Sequence, residues 1–240
     1  MAAEGHKCLF NVELVGKTVI RIDKDGRGGA SMGPGLDGAG VGKALEHLDR
    51  ATELSPNDLS GHQARLHVLI NSGRADEAPA ALEKTLAVYH GPDALEAWLN
   101  YAPLLYEIGA LEPELAFLRL LQKRYPNDHR IIANIGASLV QLGRVDEGLP
   151  MLRRAVELEP DDSINNFDLA RALEKMKDLD GAEKHYRKAV RVEKDAGRKR
   201  EMRCDLGLFL HERGKRQEAC AIQRESCDED RRPSCGPAKR

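Results

Sequence analysis

The chain has almost no surplus charge. Its 37 Lys and Arg stand against 39 Asp and Glu, a formal net charge of −2. So close a balance gives no global pull toward a polyanion, and nucleic acid is disfavoured as a partner. It has no apolar run that approaches a membrane span, so no membrane partner is expected. The N-terminus, MAAEGHKCLF, lacks the basic region and apolar stretch of a secretory signal. Glu4, with no Arg before Arg21, argues against an organelle transit peptide, and a cytoplasmic location is the expectation. Cysteines are few and irregularly placed, at positions 8, 204, 220, 227 and 235. Their spacing builds no compact zinc pair, so no metal and no cofactor is expected, and they read as reduced thiols. His6, His47, His62 and His185 lie scattered on polar faces, and no Ser-His-Asp set or carboxylate pair can be placed on one cleft. Nothing points to catalysis, and the expectation is a protein that is not an enzyme.

What the chain does have is a repeat. Between His129 and Glu193 one pattern occurs twice, offset by 34 residues. Ile135, Gly136, Leu139, Gly148, Leu152 and Ala155 fall on Leu169, Ala170, Leu173, Ala182, Tyr186 and Ala189. Each copy holds two amphipathic helical stretches and a short polar break, with no strand between them. One helix pair cannot bury its own apolar face, so neighbours must stack. The fold expected is all-α, an α-solenoid of antiparallel helix pairs behind a small irregular N-terminal segment.

These residues resemble the tetratricopeptide repeat family. The fullest copy carries the family pattern as Ile132, Ile135, Gly136, Leu139, Gly148, Leu152, Ala155 and Pro160. The resemblance runs from about Val41 to Ser226. It implies a curved stack whose first helices line a concave groove for a peptide or protein partner.

From the N-terminus, residues 1–40 read as an irregular region. Cys8 to Asp23 alternates partially, as a hairpin would, and Gly26 to Gly42 is a glycine-rich linker. Its end, Gly40-Val41-Gly42-Lys43-Ala44, fails as a phosphate-binding loop. Asp37 stands where the first glycine belongs, and Ala44 where a Ser or Thr would hold magnesium. The solenoid spans 41–226. It comprises a half repeat over 41–58 and repeats at about 59–93, 94–128, 129–162, 163–196 and 197–226. In the last, Leu206, Gly207, Leu210, Gly214 and Ala219 lie 37 rather than 34 beyond their counterparts. Leu142-Gly143-Arg144 and Leu179-Asp180-Gly181 are expected to mark the breaks within repeats four and five. Trp98, the sole tryptophan, is expected to wedge between the helices of its own repeat. Pro79, Pro103 and Pro150 fall inside helical stretches and suggest kinks. Residues 227–240, charged and with Pro233 and Pro237, read as a disordered tail.

Candidate binding residues follow from the resemblance. The residue before the Leu-Gly pair points into the groove in this family. Here that position holds Asn100, Asn134, Asp168 and Asp205, with Arg130 and Arg171 beside them. An amide offers both donors and an acceptor to an extended peptide backbone, a carboxylate acceptors only. The set looks like half of the asparagine ladder in sugar-transferring relatives. A clamp for a C-terminal carboxylate, as some members carry, is met cleanly only at its middle asparagine. A second surface is the basic stretch with Lys184, Lys188, Arg191, Arg198, Lys199, Arg200 and Arg203, suited to an acidic protein, phosphate or RNA. Its single aromatic, Tyr186, is already a packing position, so bases have no stacking platform.

The functional expectation is a non-enzymatic adaptor or accessory subunit that binds a peptide or protein in the groove. The alternatives are the repeat partner of a glycosyltransferase-like or other modifying enzyme, and phosphate or RNA binding through the basic stretch. A homodimer through exposed terminal helices stays open.

Overall fold

The structure is a computed structural model that describes residues 8–14, 18–23, 28–31, 38–89 and 94–227, with side chains from residue 40 onward. The expected disordered tail beyond Cys227, the His90–Asp93 connection and much of the N-terminal linker lie outside the described residues. The chain divides into two compact units, residues 1–124 and 125–240.

The first unit opens with three strands, β1 (Cys8–Leu14), β2 (Thr18–Asp23) and β3 (Gly28–Ser31). They form one antiparallel sheet in that order, with Val12 opposite Ile20 and Ile20 opposite Ala30. The glycine-rich stretch therefore differs from the expected linker. Gly28 and Gly29 pair in β3, and helix α1 (Gly38–Leu54) begins three residues before Val41. Ladder hydrogen bonds supply what glycine loses in backbone entropy. Both α1 and β3 pack on α2 (Leu59–Asn71). On α1 the buried side is Val41, Ala44, Leu45, Leu48 and Ala51, the spacing of one helical face.

A short 3₁₀ turn, Ala75–Glu77, leads into α3 (Ala78–Val88), so Pro79 falls in the first turn, where a missing N–H costs nothing. The first helix of the third repeat is split at Asn100 into α4 (Leu95–Leu99) and α5 (Tyr101–Glu107). Pro103 explains the break, because it has no N–H to give the Leu99 carbonyl. Trp98 is buried as expected, edge-on to Tyr89 at 6.1 Å. Helix α6 (Leu111–Arg124) buries Leu115, Leu118 and Leu121. Glu114 is buried in it as well.

Among the described residues the second unit is three helix pairs. They are α7 (His129–Gln141) with α8 (Val145–Leu158), α9 (Ser163–Lys175) with α10 (Leu179–Val192), and α11 (Ala196–Glu212) with α12 (Arg216–Ser226). One core runs through the unit and includes Leu152, Ala155, Leu169, Ala170, Leu173, Tyr186, Phe209 and Leu210. Pro150 sits inside α8 with its side chain outward.

Two local rules recur. Asp58, Asp128, Asp162 and Asp195 cap α2, α7, α9 and α11, each accepting a backbone N–H of the first turn. First helices also end on one left-handed residue. Gly73, Gly109, Gly143 and Gly214 have φ of 78°, 75°, 81° and 78°. In repeat five that slot falls to Lys177, at φ 63°. The break there is Met176–Asp178, not the expected Leu179–Gly181, which already lie in α10. Gly181 instead gives its N–H to the Asp178 carboxylate at 3.0 Å.

Candidate functional site

The groove candidates divide between the units. Asn100 belongs to the first, exposed at the α4–α5 break. Arg130, Asn134, Asp168, Arg171 and Asp205 belong to the second, where α7, α9 and α11 carry them. Asn134 and Asp168 are half-buried, and their side chains have no hydrogen-bond partner among the described residues. Arg171, exposed, lies one helical turn beyond Asp168 and acts on it electrostatically. Burial pushes the Asp168 carboxyl up to about 7. The Arg171 charge opposes that rise and the Asp162 charge adds to it. Arg130 is engaged by its own cap residue, with Nη2 donating to Asp128 Oδ2 at 2.9 Å.

Glu174 and Tyr186 join this cluster, although neither stood out in the sequence as a site residue. The Tyr186 hydroxyl donates to Glu174 Oε2 at 2.7 Å. Its ring packs between Phe167 and Phe209, at 5.4 and 5.1 Å between centroids. Burial and then the Glu174 carboxylate hold the phenol strongly protonated. Arg171 and Asp205 also act on it, so both lie near. The available signal was spacing. Asp168, Arg171 and Glu174 follow at three-residue steps along α9, and Tyr186 sits at a packing position that Leu152 fills one repeat earlier.

The basic stretch is largely spent within the fold. Lys188 pairs with Asp161, Arg198 with Glu193 and Arg203 with Glu225. Lys199 donates to the Glu193 carbonyl at 3.1 Å and Arg200 to the Ser226 carbonyl at 3.3 Å. Lys184 and Arg191 are exposed. A neighbouring network closes on Glu183, which takes Lys215, Arg187 and Arg213. Burial pushes its carboxyl up, but Lys215 and Arg187 outweigh that and hold it down at about 2.

Two histidines depart from the exposed reading. His62 is buried, with Nε2 at 2.9 Å from the Pro56 carbonyl and Nδ1 at 3.1 Å from Thr85 Oγ1. Asn166 does the same job one hundred and four positions on, donating to the Pro160 carbonyl at 2.8 Å, with Oδ1 at 3.0 Å from His185 Nδ1. Both side chains satisfy the carbonyl of the proline that ends the preceding helix. His62 and Thr85 also line a cleft of about 830 Å³ in the first unit, beside the Arg65–Asp49 ion pair. Among the described residues no cluster of His, Cys, Asp or Glu could hold a metal ion. None of their helices is long and apolar enough to cross a membrane.

The cysteines correct the sequence reading. Cys204 and Cys227 are joined in a disulfide that ties α11 to the end of α12, and Cys220 is disulfide-bonded as well. Pairing depends on how the last two helices pack, which cysteine spacing alone does not reveal.

Comparison with known proteins fits this architecture. No curated protein matches the chain by sequence. Among solved structures, MamA 41-end from Desulfovibrio magneticus RS-1 superposes with a TM-score of 0.53 at 17% identity, covering 80% of this chain and 97% of that one. A second MamA structure gives 0.52 at 18% identity, over 68% and 91%. A chain of the APC/C hetero-tetramer Cut9–Hcn1 gives 0.54 at 13%, over 78% and 36%. At these identities the likeness is one of fold. The family model described as tetratricopeptide repeat matches residues 64–129, 134–199 and 167–232. That is more than half of the sequence, and the chain belongs to the tetratricopeptide repeat family.

Proposed function

We propose that this protein is a non-enzymatic interaction scaffold that binds an extended segment of a partner protein on the first-helix side of its second unit. The observation that carries the reading is the state of Asn134, Asp168 and Arg171. Many polar side chains of the unit, among them Asp128, Asn166, Glu183 and Glu193, are drawn into caps, ion pairs and carbonyl contacts. Asn134 and Asp168 instead lie half-buried on successive first helices with no hydrogen-bond partner among the described residues. A half-buried acceptor with nothing to accept gains most from an incoming N–H or cation. An extended peptide presents N–H and C=O groups in alternation, which an amide, a carboxylate and a guanidinium together can match. The fold supports the reading as well, since repeat stacks offer extended faces to partners. The similar Cut9–Hcn1 chain comes from an assembly with a second protein.

The test is binding to an array of short synthetic peptides, with wild type beside N134A, D168A and a K199E/R200E variant. Peptides held by wild type and K199E/R200E but lost by N134A and D168A support the proposal. An unchanged set for N134A and D168A refutes it.

A further inference from the structure

The last helix is held differently from its predecessors. The residues that α8 and α10 bury against their first helices are Gly148, Leu152 and Ala155, then Ala182, Tyr186 and Ala189. At the corresponding positions α12 buries Ala219, Gln223 and Ser226. The large apolar anchor at the middle of the face, Leu152 or Tyr186, is replaced by Gln223, which is 0% exposed. An amide at that depth gives little of the apolar transfer energy that a Leu or Tyr gives. The facing surface of α11 is Arg200, Arg203, Cys204 and Gly207. A Cβ on Gly207 would lie 2.6 Å from Gln223 Cγ, so the two helices meet closely around the amide. Ala219 and Ile222 still pack on the unit's core, and the polar ties of the helix include rim contacts. Arg203 pairs with Glu225 at 2.6 Å, Arg187 with Glu218 at 2.7 Å, and Arg200 reaches the Ser226 carbonyl. Exposed pairs of this kind contribute little. The Cys204–Cys227 bond sits at the far end of the same seam, with its two residues 1% and 2% exposed.

We infer that this disulfide is a redox-sensitive clamp that substitutes for the absent apolar anchor, and that its reduction releases α12 from α11 while the helices before it stay folded. The reductant is a dithiol. Its thiolate attacks one sulfur, the S–S bond breaks, and its second thiol closes the reductant's own disulfide. Two electrons and two protons pass to the protein, leaving Cys204 and Cys227 as thiols. Release uncovers the α11 face that α12 occupies and parts the Arg203–Glu225 pair.

The experiment is hydrogen–deuterium exchange of the full chain, read by mass spectrometry for residues 216–226 and, as the internal reference, for α7 to α10. It is run without reductant, with dithiothreitol, and on C204S/C227S without reductant, which removes this bridge and leaves the Cys220 bond in place. The expected result is protection of α12 in the oxidised protein. Reduction or C204S/C227S should lower that protection tenfold or more, with α7 to α10 unchanged. A Q223L substitution, restoring the anchor of repeat four, should keep α12 protected after reduction. Unchanged α12 protection in C204S/C227S overturns the inference, as does loss of protection in α7 to α10 together with α12. Failure of Q223L to hold the reduced helix overturns the anchor argument. Finding Cys204 and Cys227 free in protein purified without reductant overturns the premise.

Discussion

Gly148→Ala tests the packing account where it is most exposed to error. Helix propensity alone says that an alanine inside α8 should stabilise by about 1 kcal/mol. The geometry says the opposite. A Cβ at 148 would stand 2.6 Å from the Gly136 carbonyl oxygen, 2.8 Å from Val140 Cγ2 and 3.1 Å from Leu139 Cβ. The nearest of these is backbone, which cannot rotate aside. Forcing an extra methyl into such a site costs roughly 1–3 kcal/mol. Taken with the propensity gain, G148A should come out destabilised by about 1 kcal/mol. The next repeat supplies the control. Its equivalent positions are Ala170 and Ala182, both fully buried, so α9 and α10 accommodate methyls where α7 and α8 do not. There Ala182→Gly should lose about 1 kcal/mol of propensity and about 0.8 kcal/mol of methyl burial. Opposite substitutions at matched positions should therefore both lower the urea midpoint followed by helical circular dichroism. A G148A midpoint equal to or above that of wild type would refute the reasoning, because it would mean that the crossing is looser than described.

Lys177 holds the left-handed slot that glycine fills in four other repeats, so K177G should raise stability by about 1 kcal/mol, read as a higher thermal midpoint. Glu193, 4% exposed, accepts from Arg198, Ser163 and the backbone of Lys194 and Asp195, and its carboxyl is held down at about 2, chiefly by Arg198. A folded pKa below the unfolded one gives stability that is present near neutrality and lost as pH falls. E193Q should therefore be less stable than wild type at pH 7, and the gap should close between pH 4.5 and about 2. Asp168 has the reverse sign. The folded chain keeps its proton up to about 7 while the unfolded chain ionises above 3.8, so its contribution falls as pH rises across that window. D168N should be more stable than wild type at pH 8 and nearly equal to it at pH 4, by thermal melts in matched buffers.

The second unit was legible because its determinants are local and periodic. The 34-residue offset gives Leu152 and Tyr186, then Ala155 and Ala189, as the residues that pack each second helix, and all four are buried. The 37-residue offset places Leu206, Leu210 and Ala219 in the same way. The break in repeat five was misread for a physical reason. Gly181 suggested a turn, but the chain turns at Lys177, where an unfavourable residue is held by its neighbours. The alternation over Cys8 to Asp23 was visible in the sequence, whereas β3 escaped because Gly28 and Gly29 weaken an isolated strand and are tolerated once a ladder forms. His62 read as a residue of a polar face, since its partner is the proline carbonyl of the preceding turn. At the site, Asn134, Asp168 and Arg171 were visible as positions, whereas the half-burial that sets the Asp168 carboxyl apart depends on how α7, α9 and α11 pack.

The most direct measurement of the central claim is an amide NMR map of the chain titrated with a peptide taken from the array. The account predicts that shifts concentrate on α7 and α9 around Arg130, Asn134, Asp168 and Arg171, and that they are lost in D168A. Shifts confined to α8 and α10, or to the stretch from Arg198 to Arg203, would contradict it and move the binding surface off the first helices.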